Sequence, residues 1–209
     1  LEDYLEKEAS SHNLQNYSDK NTYPIPRLKE NFEIISDVYN LLNEHAKLKI
    51  PIHPAGEWIL DNYYVIDETI KNIKLELSKR KYAKFLGISN GNYAGFARVY
   101  VLASEIINYT DNKIDGKSLK DYLAGYQRKK TLSMEEIWSI SIFMKIALIE
   151  NIRQICERIY ISQIQKYKVE NIVERLIENK AKSEQKFKIG PTKRIEKTIF
   201  NDMQYSFIE

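Results

Sequence analysis

The sequence predicts an all-α protein, a multi-helix bundle of about seven to nine helices with no significant sheet. Three observations predict it. Apolar residues recur at steps of three and four along most of the chain. Gly and Pro are scarce, 7 and 5 among 209 residues, which leaves too few turns for many short strands. Capping residues and prolines stand where the periodic stretches begin and end.

Residues 1–9 read as a short amphipathic helix, and 12–21 as a polar loop. Pro24 and Pro26 then impose an extended entry, because each disfavours helix in the residue before it. After Pro26 comes a one-faced stripe of Leu28, Phe32, Ile35, Tyr39, Leu42 and Ala46. Pro51 and Pro54 end that helix and start the next, proline being tolerated in a first helical turn. Ile59, Tyr63, Ile66, Ile70, Ile73 and Leu77 give an unbroken stripe over 54–77, with Asp61, Asn62, Asp67 and Glu68 off it.

Residues 80–95 are irregular, with Asn90-Gly91 as a turn. A helix over 97–109 carries Val99, Leu102, Ala103, Ile106 and Ile107 and ends at Asp111-Asn112. Asp115 caps a helix over 116–126. Ser133 and Glu136 form a capping box, with Leu132 and Ile137 placed for its hydrophobic staple. The helix that follows, 134–161, is apolar nearly all round to Ile149, as expected in the middle of a bundle. Lys166–Asn179 reads as a further helix, 181–192 as polar with Gly190-Pro191 as punctuation, and 193–209 as a helix whose continuation is missing. The expected organisation is therefore an N-terminal helix and loop (1–23), a helical core domain (24–180), and a linker with a truncated helix (181–209). The helices at 54–77, 97–109 and 134–161 should build the core, covered by those at 27–46 and 116–126.

The composition excludes several classes. The net charge is +3 and cations alternate with anions, so no nucleic-acid face is expected. The runs Lys79-Arg80-Lys81 and Arg128-Lys129-Lys130 suit helix ends. Cys156, the single cysteine, makes an internal disulfide impossible and reads as a small buried hydrophobe. The longest apolar stretch, Ile137 to Ile149, falls short of the roughly 20 residues of a membrane helix. The 15 tyrosines are spread along the chain and suit half-buried helix faces. His12, His45 and His53 lack metal-ligand spacing, and no phosphate loop, dinucleotide fingerprint or nucleophile elbow occurs. No catalytic, cofactor or metal residue is assigned.

Three polar constellations remain. Glu57 and Asp61 share a face at i, i+4, where like charges repel, so one of them should meet a cation from another helix. Arg98, followed by Glu105 on the same helix, suits either an anion contact or a buried ion pair; Glu57 or Asp61 is its expected partner. Glu150, Asn151 and Arg153 interrupt the most apolar helix. Buried polar groups must be paired, so Glu150 should pair with Arg153 at i, i+3 and Asn151 should bond to a neighbouring helix or loop. Together these residues form a candidate structural polar network. A carbohydrate cleft using Glu57, Asp61, Arg98 and Glu105 is the alternative, as is a helical docking module unrelated to sugars.

The string Pro54-Ala-Gly-Glu-Trp-Ile-Leu-Asp-Asn-Tyr-Tyr-Val-Ile-Asp-Glu68 resembles a segment near the N-terminus of cyclic β-1,2-glucan synthases. So do Gly95-Phe-Ala-Arg-Val-Tyr-Val-Leu-Ala-Ser-Glu105 and Leu148-Ile-Glu-Asn-Ile-Arg153, the last preceded by Glu136-Ile-Trp138. The motifs fall in family order and the resemblance spans about Pro24 to Leu176; the family tends to have proline where this chain has Ala97 and near Ser141. The resemblance implies a large bacterial inner-membrane protein that polymerises glucose from UDP-glucose with a divalent metal and carries a C-terminal module like a family-94 phosphorylase. Neither catalytic module matches here. It further implies an accessory region on the cytoplasmic face, read as an excised fragment without a membrane span. Its partners would be the remaining domains of the same polypeptide and a glucan chain.

Overall fold

A computed structural model describes residues 2–177, with side chains from 3 to 169. The linker and truncated helix read over 181–209, and the end of the helix read to Asn179, lie outside the described residues. Among those described, seven α-helices and one very small sheet occur, so the all-α expectation holds. They are α1 (Glu2–Ser11), α2 (Ile25–Lys47), α3 (Pro54–Glu76), α4 (Lys79–Tyr82), α5 (Arg98–Tyr109), α6 (Gly116–Gln127) and α7 (Met134–Ile177). Strands β1 (Leu14–Gln15) and β2 (Gly87–Ile88) pair antiparallel, Leu14 opposite Ile88 and Gln15 opposite Gly87.

Several boundaries follow the capping chemistry. Asp115 accepts from the amides of Lys117 and Ser118 at 2.9 Å and starts α6. The capping box is reciprocal: Glu136 N–H donates to Ser133 Oγ at 3.2 Å, and Ser133 N–H donates to Glu136 Oε2 at 2.8 Å. Asp111 and Asn112 both take positive φ, 49° and 64°, and close α5; short polar side chains tolerate that region best after glycine.

Other expectations are corrected. The helix α2 starts at Ile25, before Pro26, whose absent N–H falls among donors that are orphaned in any first turn. Its buried face takes in Asn31, Val38 and His45, while Ala46 is exposed. Lys79-Arg80-Lys81 does not end a helix; it makes the short α4, capped by Ser78. The stretches 134–161 and 166–179 are one helix as far as Ile177, because nothing between them is a helix breaker. That helix is not buried all round. Met134 and Trp138 are 60% and 72% exposed, and Ser141 and Lys145 continue the open stripe at helical spacing.

The chain forms two compact units, each discontinuous in sequence. One comprises Leu1–Lys29 and Val65–Asn151. In it α1 packs on α6, and Phe143, fully buried, makes edge-to-face contacts with Tyr82, Phe85 and Tyr100 at ring-centroid distances of 6.3, 5.6 and 5.9 Å. Aromatic pairs prefer such edge-to-face contacts because the ring edge is positive and the face negative. The second comprises Glu30–Tyr64 and the chain from Ile152. Ile35, Val38, Leu42, Ile59 and Cys156 are buried there. Tyr63 stacks on Tyr39 at 4.0 Å and on Phe32 at 5.9 Å, and its hydroxyl bonds to that of Ser36 at 2.9 Å.

Candidate functional site

The most developed polar constellation of the first unit centres on Arg98. Arg98 opens α5, where its backbone N–H donates to Leu86 O at 2.9 Å. A cation at a helix N-terminus opposes the helix dipole, so something else must hold it. Glu136 does. Arg98 Nε donates to Glu136 Oε1 and Nη2 to Glu136 Oε2, both at 2.7 Å, and Nη2 also donates to Thr131 O at 2.8 Å. The residues are 2% and 1% exposed. Burial pulls the Glu136 carboxyl upward, but the Arg98 hydrogen bonds and the Ser133 amide win, holding it below its ordinary value. Burial likewise opposes the Arg98 charge and Glu136 overrides it, so Arg98 stays protonated. The expected partners of Arg98, Glu57 and Asp61, are therefore not its partners. The spacing rules behind that expectation see only near neighbours, while Glu136 lies 38 positions away.

The network continues through Tyr126 to His12, whose Nδ1 lies 3.3 Å from the Tyr126 hydroxyl. Burial pushes the Tyr126 phenol up to about 12 and the His12 imidazole down, so both are neutral near neutrality. Glu105 accepts from the hydroxyls of Tyr4 at 2.8 Å and Tyr93 at 3.1 Å. Both phenols are raised, by burial first and then by the carboxylate they serve.

The remaining candidates are also placed. Glu150 meets Arg27 at 3.1 Å, and Arg153 pairs with Glu157 one turn further along α7. Glu150 and Arg153 thus each have a partner other than the i, i+3 neighbour expected from the sequence. Asn151 donates to Asn112 at 2.7 Å, in the turn after α5. Glu57 and Asp61 are exposed, and among the described residues neither has an ion pair.

A shallow groove of about 930 Å³ opens in the first unit, lined by Gln15, Tyr17, Asp19, Asn21, Ser89 and Gly95 among others. None of the seven candidate residues lines it. Among the described residues no group of three or more His, Cys, Asp or Glu could hold a metal ion, and no helix is long and apolar enough to cross a membrane. The arrangement around Arg98 is thus a closed set of donors and acceptors with Glu136, Tyr126 and Ser133 as its further members. Glu136 was visible in the sequence as a cap, but its second role was not.

Against known proteins, 151 residues of this chain, 72% of it, align at 28% identity with the cyclic beta-(1,2)-glucan synthase NdvB of Rhizobium meliloti (strain 1021). The chain is similar to part of a cyclic β-(1,2)-glucan synthase. The aligned region is 5% of that synthase's length. The resemblance read from the three motifs therefore holds. No protein-family profile matches the chain.

Proposed function

We propose that this chain is a non-catalytic accessory region of a large bacterial membrane glucosyltransferase related to cyclic β-1,2-glucan synthase. The observation that carries the reading is the buried Arg98–Glu136 pair. The strongest candidate for an anion-binding cation in the shared motifs is spent on holding the start of α5 to the start of α7. Glu105 is engaged by two phenols and Glu150 by an arginine, so each serves internal structure. The similarity to a glucan synthase supports the glucan-synthesis setting. In that setting UDP-glucose and a divalent metal belong to a transferase module elsewhere in the polypeptide, and the region sits at the cytoplasmic face of the inner membrane, against the remaining domains.

The test has two arms. The 209-residue chain, incubated with UDP-[14C]glucose and Mg2+ or Mn2+, should form no labelled glucan. Deleting the region from the encoded polypeptide should abolish glucan output in membranes. Glucosyl transfer by the chain alone overturns the reading.

A further inference from the structure

One face of α3 in the second unit is exposed and makes no ion pair among the described residues. In the shared motif of α3, Tyr63 turns inward onto Phe32 and Tyr39, and Ile59 is buried. Their neighbours turn outward. Trp58 is 50% and Tyr64 71% exposed, and Glu57 and Asp61 flank them in the open. The spacing Glu57, Asp61, Tyr64 runs one line up the helix with Trp58 beside it. The one remaining polar neighbour, Asn62, is tied back to Trp58 O at 2.8 Å. Two carboxylates at i, i+4 repel one another, and the cation expected to relieve them is absent from the described residues. Tryptophan and tyrosine, here half and largely exposed, are the residue types that anchor interfaces.

We propose that Glu57, Trp58, Asp61 and Tyr64 form a docking surface for a Lys- and Arg-bearing segment of the same polypeptide outside these 209 residues. This rests on the accessory-region reading. Charge complementarity selects the occupant. Uncompensated carboxylates repel anionic lipid headgroups and nucleic acid, and attract cations, which also favour electron-rich indole and phenol faces. The helix face is convex and cannot enclose a small ligand, whereas a segment laid along its roughly 10 Å length can engage all four side chains. The similar synthase is far longer than the part aligned here, which supplies candidate segments.

The experiment places the photo-cross-linking residue p-benzoylphenylalanine at Tyr64 in the polypeptide as its gene encodes it, irradiates native membranes, and maps adducts by mass spectrometry. The expected adduct lies on a Lys/Arg-rich stretch of the same polypeptide outside these 209 residues, and an adduct within them overturns the proposal. Glu57→Gln with Asp61→Asn should lower its yield about tenfold, and Glu57→Asp with Asp61→Glu should restore most of it. Both pairs are surface changes and should leave thermal unfolding unchanged. An adduct on a second copy, on lipid, on an unrelated protein or on a neutral segment overturns the proposal. So does a yield indifferent to the charge change, or no adduct at all. If deletion of the region still abolishes glucan output while the adduct is absent, only the docking surface falls. If the gene encodes no transferase, the accessory reading falls as well.

Discussion

Arg98 and Glu136 meet at two points, Nε on Oε1 and Nη2 on Oε2, each at 2.7 Å and both shielded from solvent. Glu136 holds the start of its own helix through Ser133 at the same time. One carboxylate thus couples a local cap to a long-range contact, and its loss should be felt at both.

Arg98→Ala should destabilise the fold by about 3–5 kcal/mol, the cost of stranding a buried carboxylate. Replacing Arg98 by Met and Glu136 by Leu together should cost much less than the sum of the single changes, since neither charge is left alone. Urea titrations of the two single variants and the double variant give the coupling directly. Additive effects would contradict the pairing.

Acid should weaken the protein in two stages. His12 and His45 are both held below their ordinary 6.5, by burial in each case. The unfolded chain therefore takes up protons first, so their contribution is complete above about pH 6.5 and is lost as pH falls through the lower folded values. Glu136 and Asp115 are also depressed, from 4.5 and 3.8, and their contribution is lost lower still. The melting temperature should fall from pH 7.5 to 5 and again below 4. His45→Leu should flatten the first stage, because both of its ring nitrogens are buried without a hydrogen-bond partner. An unchanged slope would refute this.

Two glycines should respond in opposite directions. A Cβ at Gly87 would stand 2.5 Å from Tyr17 O and 2.9 Å from Gln15 Nε2, so Gly87→Ala should separate β1 from β2 and cost about 1–3 kcal/mol. A Cβ at Gly116 meets nothing within 4 Å. Gly116→Ala at the start of α6 should stabilise by about 0.4–1 kcal/mol through the unfolded chain's lost entropy. Chemical denaturation of the pair checks the sign.

Cys156 should be inert in the folded protein. It is fully buried, and burial pushes its thiol up to about 12, so thiolate is scarce and unreachable at pH 8. Reaction with a thiol-specific disulfide reagent should be negligible until denaturant is added and then proceed to one equivalent. Prompt labelling without denaturant would contradict the packing.

Phe143→Ala should cost about 3–5 kcal/mol, since it removes the ring on which Tyr82, Phe85 and Tyr100 converge. Phe143→Leu should cost less, because it preserves most of the volume.

By itself the sequence determined what depends on neighbours within a turn or two. In the stripe Ile59, Tyr63, Ile66, Ile70, Ile73 and Leu77, all are buried except the half-buried Tyr63, and the Asp115 and Ser133 caps form as read, because helix period and capping involve residues at most about four apart. Tertiary structure alone decided pairings between distant elements: Arg98 with Glu136, Glu150 with Arg27, and Glu105 with Tyr4 and Tyr93. It also decided that Trp138 faces outward while Asn31 and His45 face inward. Spacing along one helix states which side chains share a face. Which face meets which helix follows from how the helices pack against each other, and periodicity carries no record of that.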